Sequence, residues 1–271
     1  MGNGRLLRTR VLTALMLGIV VLGTVLGLAT PYASLVFGLI WLIGADEWAR
    51  LVRLGPSGRA IHGMLFAAIV VAVLAFGPGA AVIDAWLWLA AALWLVVFGM
   101  VLRFPRPVPL MPVRLIGLVV LSAAWLSFWR VHGAGANGPA LILVALLIVW
   151  CADIGAFFVG RTLGRTPLAP RVSPKKTWEG VGGGVALAML VGALAALALD
   201  LSLALLVAVA AATALISVVG DLGVSMLKRQ AGLKDAGVLL PGHGGILDRF
   251  DGVTAALPFF VLGLQFAHVL D

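Results

Sequence analysis

Charged residues are scarce in this sequence, and their scarcity excludes an ordinary soluble fold. Only 11% of the 271 residues are charged, whereas 62% are hydrophobic and the mean hydropathy is +1.15. A soluble domain is roughly one-quarter charged, because it must cover its surface with polar groups. The shortage of polar residues predicts that lipid surrounds most of this protein.

Other absences narrow the architecture. The chain has one cysteine, Cys151, which excludes an intrachain disulfide. The long apolar runs lack the alternating pattern of a membrane β-barrel, and backbone groups in lipid must otherwise be satisfied within helices. No internal repeat or low-complexity segment interrupts these runs. The sequence therefore predicts an all-α, polytopic membrane bundle with about nine transmembrane helices.

Nine apolar segments approach the roughly 20 residues that a bilayer-spanning helix needs. They cover residues 11–29, 33–52, 62–77, 82–101, 115–130, 139–160, 180–198, 202–220 and 252–270. The first begins like a signal peptide, but its apolar run is long and no small-residue cleavage pattern follows, so we interpret it as a retained anchor.

The net charge of +8 is better explained by membrane topology than by nucleic-acid binding. If the N-terminus lies inside and the chain crosses nine times, Arg130 is the only one of the 19 basic residues that lies outside. Lys and Arg collect in cytoplasmic loops of membrane proteins. The charge pattern thus predicts a cytoplasmic N-terminus and no nucleic-acid partner.

Polar residues concentrate in two predicted cytoplasmic loops, residues 161–180 and 228–252. We therefore divide the chain into an N-terminal transmembrane region, residues 1–135, and a C-terminal catalytic region, residues 136–271. Five or more carboxylates and many cations would meet at one membrane interface.

The first region has one polar feature, Asp46 and Glu47 near the inner end of the second segment. Ionisable groups at membrane depth are usually functional or paired. Arg50 lies within one helical turn of both, so a local ion pair is the simplest explanation.

Three carboxylates of the second region form a candidate metal site. Asp248 and Asp251 are three residues apart and would share a helix face, and Asp221 would add a ligand from the neighbouring segment. Mg²⁺ takes oxygen ligands and bridges to phosphates. The surrounding cations are Lys228, Arg229, Lys234 and Arg249. This mixture favours a metal–phosphate complex, because a solvated connector would explain the cations but not the carboxylates.

Glycines flank a histidine between these charges. Gly244 and Gly245 allow positive φ and close approach of the backbone to an anion. His243 is a candidate general acid or base, or alternatively a hydrogen-bonding residue that orients the loop, and we favour the second interpretation.

The first loop ends in Ser173-Pro-Lys175-Lys176-Thr177 and leads into a helix. Thr177 is a candidate N-cap. Ser173, Lys175 and Lys176 would then lie at a helix N-terminus, which favours phosphate. The alternative is a capped entry to the helix with no ligand.

The pattern from Ser225 to Asp251 resembles bacterial phosphatidate cytidylyltransferases, also called CDP-diglyceride synthases. Its elements are Lys228-Arg229, Lys234-Asp235-x-Gly237 and Leu240-Pro-Gly-His243-Gly244-Gly245-Ile-Leu-Asp248-Arg249-Phe-Asp251. Residues 153–184 resemble the family as well, whereas the N-terminal half resembles it only in hydropathy.

The resemblance implies that CTP and phosphatidic acid react with Mg²⁺, one ion or two, to give CDP-diacylglycerol and pyrophosphate. It also implies a bacterial inner-membrane enzyme with a cytoplasmic active site, and a homodimer. The expected metal ligands are Asp221, Asp248 and Asp251, assisted in catalysis by Lys228 and Arg249. The expected substrate-binding residues are Ser173, Lys175, Lys176, Arg229, Lys234, His243, Gly244 and Gly245. Which loop binds which substrate stays open.

Three rival functions are weaker. A transporter would place its charges at the midplane and often shows repeats. Asp248-x-x-Asp251-Gly252 imitates the start of a CDP-alcohol phosphotransferase motif, but the residues that follow lack its further Asp residues. A polyprenol kinase of related architecture would not be expected to carry the whole second-loop pattern.

Overall fold

The computed structural model describes residues 2–240, 242 and 244–270, and for residues 2–11 and 14 it describes the backbone alone. His243, one of the predicted binding residues, lies outside the described residues.

Helices make up almost all of the described chain. They are α1 (Gly2–Gly27), α2 (Thr30–Leu51), α3 (Pro56–Phe76), α4 (Ala80–Arg103), α5 (Leu110–His132), α6 (Gly138–Leu163), α7 (Trp178–Ala198), α8 (Leu203–Ala231) and α9 (Leu247–Phe266). Two short strands, β1 (Pro167–Ala169) and β2 (Ser173–Thr177), form an antiparallel hairpin between α6 and α7.

The predicted all-α membrane fold is confirmed in its coarse form. Among the described residues, the six helices α3 to α8 are long and apolar enough to cross a membrane. Helices α2 and α9 carry charged residues near their ends, and α1 contributes a shorter apolar stretch, Leu15–Gly27. The chain is therefore multi-pass, and the count of nine crossings stays a prediction.

Within the part of the chain that the structure describes, a hairpin departs from the all-α expectation. Residues 161–180 were predicted as a cytoplasmic loop that leads into a helix, yet β1 and β2 pair there between Pro167 and Thr177 and between Ala169 and Ser173. Backbone groups of a connector need hydrogen-bond partners, and pairing the segment with itself provides them.

Large aromatic side chains fasten α2 to α5. Trp48 donates from its indole nitrogen to the Val113 carbonyl at 3.0 Å, and Trp125 donates to the Ser34 carbonyl at 2.8 Å. Both indole rings are buried. A buried indole N–H needs an acceptor, and these two carbonyls supply one each across the helix interface.

Small residues bring the helices of the second half into close contact. A side chain at Gly155 would overlap the α7 backbone at Gly183, and one at Gly220 would overlap the α9 backbone at Asp251. Helices in lipid pack closely where such small residues meet. The contact at Gly220 brings Asp221, the next residue along α8, to the level of Asp251 on α9.

Candidate functional site

The carboxylate of Asp248 organises the second loop. Its Oδ1 accepts from the Lys228 ammonium at 2.8 Å, and its Oδ2 accepts from the backbone N–H groups of Ala236 and Gly245 at 2.8 and 2.9 Å. Only 4% of this side chain is exposed. A buried carboxylate with a cation and two N–H donors is well compensated. Asp248 thus joins α8, the loop and α9.

Of the two glycines for which positive φ was expected, Gly244 adopts it and Gly245 does not, while Gly242 also has positive φ. Gly242 has φ +75° and Gly244 has φ +84°, a region that other residues enter with strain. Leu240 and Gly244 exchange two backbone hydrogen bonds, which close a tight turn. Gly245 is buried beneath this turn and donates to Asp248.

A second group of carboxylates lies where α6, α8 and α9 meet. The charges of Asp153, Asp221 and Asp251 are close enough to act on one another, and Lys176 and Arg249 act on Asp153. Asp221 accepts a hydrogen bond from Ser225 at 3.1 Å, and Asp251 accepts from its neighbour Gly252 N–H at 2.8 Å. Carboxylates so close together repel one another when ionised, and nearby cations such as Lys176 and Arg249 offset that repulsion.

The two polar loops meet at this group, as predicted. Lys176 of β2 forms an ion pair with Asp221 of α8. Arg229 donates to the Val172 carbonyl of the hairpin at 3.3 Å. These contacts bring substrate-binding candidates from the first loop together with metal-ligand candidates from the second.

The predicted N-cap is confirmed. Thr177 accepts a hydrogen bond from Gly180 N–H at 3.1 Å, and its backbone is extended as in a helix cap. Glu179 folds back to accept from the N–H groups of Arg165 and Thr166 at 3.1 Å. The cap and this carboxylate fix the hairpin against the start of α7.

The remaining predicted binding residues differ in exposure. Ser173 is half-buried in β2, whereas Lys175, Lys234 and Arg249 are exposed. Exposed cations remain accessible to a phosphate ligand, whereas Lys176 and Lys228 already pair with carboxylates.

Two cavities flank the carboxylate group, and Asp153 lines both of them. The α7 cavity, about 210 Å³, lies among α6, α7 and α8 and has Lys175 and Lys176 at one side. The α1 cavity, about 330 Å³, lies between α1, α6 and the start of α9. Its lining includes Asp248, Arg249 and Asp251. Two ligands could therefore meet at Asp153, one from each cavity.

The predicted trio of metal ligands is not assembled as one group. Among the described residues, no three His, Cys, Asp or Glu side chains are arranged to hold a metal ion. Asp248 turns both oxygens to Lys228 and to loop amides instead. Mg²⁺ commonly takes one or two carboxylates and completes its shell with water and substrate phosphates. Asp221 and Asp251, hard oxygen donors on adjacent helices, fit that mode.

Sequence analysis assigned no role to Asp153. The available signal was its position as an ionisable residue within an apolar segment. The acidic pair in α2 was assigned to Arg50, which is wrong for Asp46. Asp46 accepts two hydrogen bonds from Arg59, from Nε to Oδ1 at 2.8 Å and from Nη2 to Oδ2.

Glu47 accepts from the backbone N–H groups of Ile246 and Leu247 at 3.1 and 2.7 Å. These partners lie 199 and 200 residues away. No local pattern in the sequence points to a contact at that separation.

Comparisons with known proteins agree over nearly the whole chain. A family model described as the cytidylyltransferase family matches residues 8–267. A phosphatidate cytidylyltransferase of Pseudomonas aeruginosa is 40% identical, with 94% of this chain and 96% of the relative aligned. Those of Haemophilus influenzae and Brucella suis are 34% and 35% identical, with 94% and 97% of this chain aligned and 97% and 95% of the relatives.

Proposed function

The chain belongs to the cytidylyltransferase family, and from that premise we propose that it transfers the cytidylyl group of CTP to phosphatidate. The products are CDP-diacylglycerol and pyrophosphate. The observation that carries the proposal is the position of Asp153: it lies near Asp221 and Asp251 and lines two cavities, one with Lys175 and Lys176 and the other with Arg249.

The chemistry matches the residues present. A phosphate oxygen of phosphatidate attacks the α-phosphorus of CTP, a new P–O bond forms, and the bond to the oxygen bridging to the β-phosphorus breaks. A phosphate monoester has a second pKa of about 6 and is largely dianionic at neutral pH. The nucleophile therefore needs no strong general base, and positioning and charge neutralisation are the main requirements.

Each cavity would hold one phosphate-bearing substrate. The walls of the α7 cavity include apolar and small side chains of α6, α7 and α8, which suits acyl chains that stay in the bilayer, and Lys175 and Lys176 would meet the lipid phosphate. The α1 cavity has Arg249 beside Asp251, so it would receive the triphosphate. The reacting atoms would then meet beside Asp153, which faces both cavities.

Mg²⁺ would be held by Asp221 and Asp251, and when bound it would neutralise phosphate oxygens in the transition state. The cations of the chain would neutralise the remaining charge. Lys176 would exchange its partner Asp221 for a phosphate, whereas Lys228 stays with Asp248 and keeps the loop in place.

The remaining parts of the proposal concern location. The charge pattern supports an inside N-terminus and a site on the cytoplasmic side of a bacterial inner membrane. CTP is polar and cytosolic, so a site open to both water and lipid serves both substrates. A homodimer is proposed from the family resemblance alone.

Pyrophosphate release by the detergent-purified protein tests the reaction. We expect release only when CTP, phosphatidic acid and Mg²⁺ are all present, with CDP-diacylglycerol formed in equal amount. A lipid kinase would instead produce CDP and no pyrophosphate. Formation of CDP, or no turnover by a verifiably folded protein, would overturn the proposal.

A further inference from the structure

A carboxylate of the N-terminal half caps the helix that carries the candidate catalytic residues. Glu47 on α2 is only 3% exposed. It accepts hydrogen bonds from Ile246 N–H and Leu247 N–H, at the first turn of α9. Ile246, the N-cap residue, makes no capping hydrogen bond with its own side chain. A negative charge beside these unpaired N–H groups stabilises a helix start.

The loop is shaped around this carboxylate. A side chain at Gly237 or at Gly245 would overlap the Glu47 carboxylate. Both of these loop segments therefore approach Glu47 as closely as glycine permits. Burying a carboxylate is costly unless donors compensate it. A local Ser or Asp could cap α9 without the desolvation cost of burying a distant carboxylate. A cap from α2 has a further effect, because it fixes α9 relative to α2.

The capped turn leads directly to Asp248. Leu247 N–H binds Glu47, and the next residue, Asp248, binds Gly245 N–H and Lys228. Asp251 follows on the same helix face. A shift of the first turn would therefore move both candidate carboxylates, although Glu47 itself lines neither of the two cavities.

The inner end of α2 also reaches the other end of the loop. Just beyond α2, Arg53 donates to the Gln230 carbonyl at 2.9 Å, in the last turn of α8. The Gln230 side chain in turn exchanges two hydrogen bonds of 2.8 Å with the backbone of Val108. A cation lies at the C-terminus of α8 and an anion at the N-terminus of α9, and each sign suits the dipole of its helix.

We propose that Glu47 is a positioning residue for the reaction: it holds the first turn of α9, and with it Asp248 and Asp251, in the reactive arrangement. This inference rests on the proposed function and adds to it a residue from the half of the chain that showed no motif. Glu47 acts through the loop backbone and touches no substrate.

Glu47→Gln is the decisive variant, because a neutral amide offers one acceptor oxygen and turns an N–H₂ group toward one of the two N–H donors. We expect kcat to fall about 10- to 100-fold, as for residues that orient metal ligands. The KM for phosphatidate should stay within about twofold, and the Mg²⁺ concentration for half-maximal rate should rise. Asp46→Asn is the matched control, since it removes a carboxylate charge at the neighbouring residue, where the carboxylate belongs to a partly exposed ion pair with Arg59.

Amide hydrogen exchange supplies a readout independent of turnover. Residues 244–248 should exchange faster in Glu47→Gln than in the parent or in Asp46→Asn. If the parent protein makes no CDP-diacylglycerol, the proposed function fails, whereas the exchange result still decides whether Glu47 holds this turn. Unchanged exchange in Glu47→Gln overturns the inference, as does an unchanged kcat per folded molecule.

Gly237→Ala tests the same contact without removing the carboxylate, and it replaces Glu47→Gln if that variant does not fold. Its methyl group would displace the Glu47 oxygen. We expect the same fall in kcat and the same faster exchange at residues 244–248. Normal values for both in Gly237→Ala would count against the proposal.

Discussion

Asp153 has the most informative position of the single residues. It lines both cavities and shares its electrostatic surroundings with two other carboxylates and two cations. It lies within the apolar stretch of α6, well before Arg161 in the last turn of that helix. An ionisable side chain so placed is expected to act on the ligands that fill the cavities.

Asp153→Asn should lower kcat about 100- to 1000-fold with little change in folding, because it removes a carboxylate that would hold Mg²⁺, Lys176 and Arg249 beside the reacting phosphates. The rate of pyrophosphate release and the thermal midpoint measure the two effects. Asp200→Asn is the control. Asp200 lies in the turn between α7 and α8, at the opposite end of α7 from Lys176. Parent-like turnover in Asp153→Asn would remove this residue from the mechanism.

Residue-level prediction from the sequence succeeded where the partners are local. The N-cap role of Thr177 and the positive φ of Gly244 follow from short-range geometry that a motif encodes. The prediction for Asp46 was wrong, and none identified the partners of Glu47. The partners, Arg59 and Leu247, are determined by how α2 packs against other elements.

At the scale of elements, the hairpin and α7 act as one unit. Thr177 ends β2 and caps α7, while Glu179 in the first turn of α7 returns to the backbone before β1. Lys176 then connects this unit to Asp221 on α8. Long apolar runs predicted the helices on both sides, but they contain no signal for strands this short.

Thr177→Ala should destabilise this unit by about 1 kcal/mol, the usual cost of losing an N-cap. The thermal midpoint in detergent should fall by about 2–4 °C. Thr177→Ser keeps the hydroxyl and should melt like the parent. Equal melting of the Ala and Ser variants would show that the cap contributes nothing to stability.

At the scale of the whole molecule, the sequence predicted the membrane class because hydropathy is a property of composition. It did not predict which helices touch, since lipid-facing and buried surfaces of such helices are equally apolar. The predicted division of the chain at residue 135 follows the distribution of motifs. Glu47 and Arg53 of the first region form hydrogen bonds with residues of the second.

Single-cysteine labelling tests the predicted orientation of the molecule. In a Cys151→Ala background, Val238→Cys should be protected from a membrane-impermeant maleimide in intact cells and react in inverted vesicles. Asn137→Cys, in the α5–α6 turn, should show the opposite pattern. Both positions are exposed, so burial does not confuse the comparison. Labelling of Val238→Cys from outside would reverse the topology.

The cap formed by Glu47 also bears on biosynthesis. Its partners are made about 200 residues after it, which at about 5–20 residues per second is a delay of about 10–40 s on the ribosome. During that interval the Glu47 carboxylate lacks the hydrogen-bond donors of Ile246 and Leu247. The partly synthesised bundle must therefore keep this surface of α2 accessible until α9 is translated. The site is complete only when α9 has packed against α2.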